Sequence, residues 1–150
     1  MTSVIRPATV ADAAAISAVV IGALRVSNAR DYSADIIEQV QRSFSPAAVE
    51  QLIALRDVYV ATLQDQVVAT ASLDGGVVRS VFVSPDYQRR GVGQQLMRKL
   101  EAVAQARGLG VLSVPSSITA QAFYRRLGFS EVRDEFHGAE RTIIMQKTLR

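Results

Sequence analysis

Apolar positions recur along this chain in two rhythms, and the change between them falls near residue 58. Before it, Ile16, Val19, Val20 and Ala23 lie three and four residues apart, the spacing that lines one face of a helix. A short strand at 3–6, ended by Pro7, precedes that helix. Thr9 opens it, and Asp12 follows three residues later in capping-box spacing. A polar run at 27–32 breaks it. Ile36, Ile37 and Val40 predict a second helix, and Ser45-Pro46 opens a third with serine as N-cap and proline at the first helical position.

From 58 onward the runs are short and β-branched. Segments 58–63, 67–73 and Val77–Val83 read as strands, and Asp65-Gln66 and Gly75-Gly76 are short enough to make both connections hairpins. Helical spacing then returns over 91–107, where Val92, Leu96, Leu100, Val103 and Ala104 share a face. Gly108 ends that helix. A strand at 111–114, a helix at 119–127 stopped by Gly128, and a hairpin of 131–136 with 142–149 complete the pattern. The order is neither a clean βαβ repeat nor all-β. It predicts a mixed α/β (α+β) fold, a central mixed sheet flanked by helices, in one domain spanning 1–150.

Composition narrows the chemistry. The 150 residues suit one domain, and 49% hydrophobic with 21% charged residues is the balance of a soluble globular protein. There is no cysteine and one histidine, so disulfides, thiolate zinc sites and a cysteine nucleophile are excluded and no metal is expected. The apolar run 8–24 is interrupted by Asp12 and Ser17 and is flanked by Arg6 alone. It reads as too short to span a membrane and as no signal peptide, so a cytoplasmic protein without a membrane partner is expected. The net charge is +3 and the pI about 9.7. The basic residues are scattered apart from Arg89-Arg90 and Arg125-Arg126, which predicts local anion sites rather than nucleic-acid binding.

One such site lies at 81–96. A strand runs into a glycine-containing loop that opens directly into an amphipathic helix. The first turn of a helix has N–H groups without partners, at the positive end of its dipole. Gly91 and Gly93 lack Cβ atoms, so a phosphate can approach the backbone, and Arg89 and Arg90 add charge. Two glycines can equally do no more than turn a strand into a helix. The pattern is neither the dinucleotide G-x-G-x-x-G nor a Walker loop.

Here the sequence becomes recognisable. Gln88-Arg89-Arg90-Gly91-Val92-Gly93, with Val83 and Pro85 before it and Leu96 after, resembles the Q/R-x-x-G-x-G/A signature of the GNAT superfamily of N-acyltransferases. Ala120-x-x-Phe123-Tyr124-x-x-x-Gly128-Phe129 is similar to the family's second hallmark, and Ile5-Arg6-Pro7-Ala8 to its opening strand. The resemblance covers essentially the whole chain. It implies acetyl-CoA as acetyl-donor cosubstrate and a small-molecule or peptide amine as acceptor. The backbone of Val81, Phe82 and Val83 would pair with the pantetheine arm. Gln88, Arg89, Arg90, Gly91, Val92, Gly93 and Gln94 would take the pyrophosphate. A homodimer is common in the family.

Spacing alone makes Tyr124 a core tyrosine beside Ala120, Phe123 and Leu127; the resemblance makes it the group that reaches the CoA sulfur. Two positions depart from the family. Ser117 stands where many relatives have asparagine, and it is expected to hydrogen-bond the cofactor or cap a helix. Arg79 stands where many have a glutamate base, so the base is unassigned, and a non-catalytic acyl-CoA-binding module remains the alternative. Asp74 reads as a solvated turn residue. Acceptor contacts are expected from the polar loops at 28–32 and 137–141, with Asn28, Asp31, Tyr32, His137 and Glu140 as candidates.

Overall fold

The structure, a computed structural model, describes residues 3–149. Strand β1, Val4–Pro7, leads through a 3₁₀ turn at Val10–Asp12 into helix α1, Ala13–Val26. The turn is held by the Asp12 carboxylate, which accepts the Thr9 N–H at 2.7 Å and pairs with Arg6 at 2.8 Å. Pro7 is the last residue of the strand, paired opposite Tyr59, and an edge strand can spare the donor it lacks. Helices α2, Ala34–Arg42, and α3, Pro46–Leu55, follow, and Ser33 and Ser45 cap them by accepting the N–H of Ile36 and Ala48.

The meander consists of β2, Asp57–Leu63, β3, Gln66–Asp74, and β4, Val77–Val83, all antiparallel. Helix α4, Val92–Ala106, then precedes β5, Val111–Ser116, a short helix α5, Gln121–Arg126, and the hairpin of β6, Ser130–His137, with β7, Glu140–Thr148. One seven-stranded sheet results, in the order β1-β2-β3-β4-β5-β7-β6. The expected mixed α/β architecture is what the chain adopts.

The sheet separates two cores. Leu96, Met97 and Leu100 of α4 are fully buried against Ala69, Leu73, Val78, Leu112 and Met145. On the opposite face, Ile16, Val20 and Leu24 of α1 pack with Ile37, Val49 and Val60. The helical run Val10–Arg30, with mean hydropathy 1.7, meets the length and composition of a membrane span, contrary to the expectation that it is too short. Its apolar stripe is buried in this second core, as in the central helix of a globular domain.

Candidate active site

Strands β4 and β5 are parallel but pair only at Val77 and Ser113, where the Ser113 N–H donates to the Gly76 carbonyl at 3.0 Å. Beyond that point they separate, for reasons visible in both strands. Arg79 lies opposite Ser72 and Phe82 opposite Thr70, so Ala71 faces both Ser80 and Val81. Ser80 takes φ 56°, and this bulge bends β4. In β5, Pro115 lies two residues after Ser113 and so turns the same edge toward β4, with no N–H to offer. The strands open into a cleft of about 1180 Å³.

One end of the cleft is made of backbone. From Val78 to Val83 the β4 edge facing β5 has no strand partner among the described residues, which leaves main-chain groups able to pair with an extended ligand. Gly91 caps α4 at φ 80°, and the first bond of the helix runs from the Gln95 N–H to the Gly91 carbonyl at 3.0 Å. The amides of Val92, Gly93 and Gln94 therefore precede the helical ladder at the positive helix end, where N–H groups suit an anion. A Cβ on Gly91 would meet nothing within 4 Å, so the approach is clear.

The other members of the motif have further partners. A Cβ on Gly93 would meet the Phe123 ring at 3.3 Å and Val83 at 3.4 Å, so this glycine also sits in a tightly packed place. The Gln88 side chain is already engaged, donating to Ser27 Oγ at 2.8 Å and to the Val83 carbonyl at 3.1 Å; it closes the loop. Arg89 lines the cleft, whereas Arg90 does not and lies over the Tyr87 ring.

Tyr124 also lines the cleft. Its ring is wedged edge-to-face between Phe123 and Phe129, with centroids at 5.2 and 5.7 Å. It is 3% exposed, yet its hydroxyl makes no hydrogen bond among the described residues. Burial pushes the phenol pKa above its ordinary value of 10, so the group is a neutral donor. Ser117 lies in the wall, and its Oγ accepts the Ala120 N–H at 3.1 Å. That turn stands before α5, which is shorter than the expected 119–127.

The opposite end is built from side chains of distant segments. Tyr32 Oη accepts the Ile118 N–H at 2.6 Å and donates to the Arg141 carbonyl at 3.2 Å. It thereby ties the α1–α2 loop to the turn after β5 and to β7. Asn28 is buried in the wall, and His137 and Glu140 line it. Asp31 stands outside the wall and accepts the Thr119 hydroxyl at 2.8 Å. Arg79, at the position expected to hold a base, is ion-paired with Asp74 at 3.2 Å.

Arg56 was not foreseen. It is half-buried in the wall, and its Nη1 donates to Ser80 Oγ at 3.2 Å and Ser72 Oγ at 3.4 Å. It lies between α3 and β2, where no motif or periodicity marks it.

Residues 28–149 match the family of the acetyltransferase (GNAT) domain, and the chain belongs to that family. A GCN5-related N-acetyltransferase from Rhodopseudomonas palustris has the same fold with a TM-score of 0.94, at 28% identity over 99% of this chain and 97% of that one. A paia N-acetyltransferase from Thermoplasma acidophilum, solved in complex with coenzyme A, shares the fold with a TM-score of 0.84 at 17% identity over 99% of both chains. In sequence, the uncharacterized N-acetyltransferase YafP of Escherichia coli (strain K12) is 33% identical over 86 residues, 57% of this chain. The match spans 54% of YafP, about half that protein's length.

Proposed function

We propose that this protein transfers the acetyl group of acetyl-CoA to a primary amine by direct attack. The observation that carries this reading is the cleft itself. An unpaired β4 edge, the free first-turn amides of α4 and the unpartnered hydroxyl of Tyr124 all front one opening. This set suits a molecule with an extended amide-bearing arm, a pyrophosphate and a sulfur. The β4 backbone holds the arm, and the amides of Val92, Gly93 and Gln94 hold the pyrophosphate.

The chemistry follows from the groups present. The amine nitrogen, once deprotonated, forms a bond to the thioester carbon, and charge gathers on the carbonyl oxygen. Collapse of that intermediate breaks the carbon–sulfur bond, the electron pair leaves on sulfur, and the nitrogen gives to water the second proton that the amide does not keep. With no cysteine in the chain there is no thiol to carry the acetyl group in between. A thiol of the cysteine kind has a pKa of about 8.5. Tyr124 lies above 10, so complete proton transfer from the phenol to sulfur is uphill. Tyr124 instead donates a hydrogen bond to the departing sulfur, and the thiolate gains its proton afterwards.

The base position carries Arg79 rather than a carboxylate, so the amine loses its proton to water before attack. In such a scheme the rate rises with pH along the acceptor's own titration. The test is release of free thiol from acetyl-CoA in an amine panel, with the amine's gain of one acetyl group read by mass spectrometry. Binding of CoA without acetylation of any amine would make the protein an acyl-CoA-binding module instead.

A further inference from the structure

The cleft wall carries several arginines, and they differ in what balances them. Arg79 is paired with Asp74, and Arg133 with Glu135 at 2.8 Å. Arg56 has no ion pair among the described residues. It touches only the neutral hydroxyls of Ser72 and Ser80, and both bonds use Nη1, so Nε and Nη2 have no partner among the described residues. Burial, and then the neighbouring Arg79 charge, lower its pKa, and the weaker pull of Asp74, which is itself paired with Arg79, does not offset them. A guanidinium withdrawn from water next to a like charge is costly unless an anion completes it.

Structural duty accounts for part of Arg56 only. Its Nη1 braces the β4 bulge, and Ser72 Oγ in turn donates to the Arg79 carbonyl at 2.8 Å. A neutral donor would do as much. The remaining edge of the guanidinium is the planar fork that grips a carboxylate through two parallel bonds.

Position decides the size of the ligand. Arg56 is tethered to Ser80, and the next residue, Val81, begins the stretch assigned to the pantetheine arm. A carboxylate held by Arg56 therefore lies close to the amine under attack. We propose that the acceptor is a small amino carboxylate, an amino acid or a close analogue, whose carboxylate is bound by Arg56. This rests on the reading of the cleft as an acetyltransferase site. It disfavours polyamines, which would bring further positive charge to an uncompensated arginine.

The test compares amino acids with their own carboxamides, which differ only in the charge beside the amine. Wild-type protein saturated with CoA should bind the acids about 10- to 100-fold more tightly than the amides in calorimetry, the range of a hydrogen-bonded pair to a charged group. With acetyl-CoA, kcat/KM should show the same preference. Arg56→Gln should bring the ratio to about one while the CoA affinity stays unchanged, and Arg56→Lys should restore only part of it. Equal binding of acid and amide by wild type overturns the proposal without needing any variant to fold. An undiminished preference in folded Arg56→Gln, or better use of a polyamine than of any amino acid, overturns it as well. Preferential binding of the acids with no thiol release would leave Arg56 as the carboxylate site and fail the catalytic reading instead.

Discussion

The two ends of the cleft are made in different ways. The end proposed for the donor is main chain: an unpaired strand edge and the first turn of a helix, contiguous in sequence from β4 to α4. The end proposed for the acceptor is side chain: Asn28 and Tyr32, Arg56, and His137 and Glu140 come from three separate places in the chain. A backbone site tolerates almost any side chain provided that its special geometry is kept. A side-chain site can be rebuilt residue by residue without disturbing the fold. Their difference lets one scaffold keep a donor and exchange acceptors.

The contrast breaks most sharply at the two glycines. Gly91→Val forces a branched residue into φ 80° at the α4 cap and should weaken CoA binding about 100-fold, the worth of a charge-assisted contact set. Gly93→Val should act on the fold, lowering stability by about 1–3 kcal/mol through collision with Phe123 and Val83. Calorimetric titration and thermal melts separate the two; equal loss of CoA affinity with unchanged melting in both would merge their roles. Tyr124→Phe, at the junction of the two ends, should lower kcat about 10- to 100-fold, with acetyl-CoA affinity near wild type. An unchanged kcat under conditions where chemistry limits turnover would reduce the tyrosine to packing.

At the acceptor end, Glu140→Ala should raise the acceptor KM and spare that of acetyl-CoA. Asp31→Ala should do so more weakly, since Asp31 acts only through Thr119. The reverse pattern would move the acceptor elsewhere. Far from both ends, Asp12 serves as a control. The Arg6 hydrogen bond, with the Thr9 N–H, outweighs burial and holds its carboxyl at about 2. A depressed folded-state pKa contributes stability that is present above the unfolded value of 3.8 and is lost as pH falls toward 2. Asp12→Asn should therefore cost about 1–2 kcal/mol at pH 7, allowing for the more exposed Arg6, and nothing below pH 2. Both KM values should stay unchanged.

The same contrast explains what could be read from the chain. The meander, α4 and the closing hairpin follow from local periodicity and turn residues. The donor loop was legible because its glycine and its helix start are adjacent in sequence. The packing at Gly93 was not legible, because absence of a Cβ looks the same whether a phosphate or Phe123 lies beside it. The bond that Gln88 makes to Ser27 was not legible, because that partner is 61 residues away. Arg56 was invisible for the same reason, since its place in the wall depends on β2, β3 and the β4 bulge coming together. Asp31 and Glu140 shared a polar-loop signal, but only the folded chain separates wall from outer support.

A crystal structure of the CoA complex tests the donor end most directly. The expected result has the pyrophosphate oxygens within hydrogen-bond distance of the Val92, Gly93 and Gln94 amides. The pantetheine should run along the free β4 edge at Val81, Phe82 and Val83, with the sulfur beside the Tyr124 hydroxyl. A pyrophosphate held elsewhere, or a sulfur pointing away from Tyr124 and from Arg56, would contradict the assignment of the two ends.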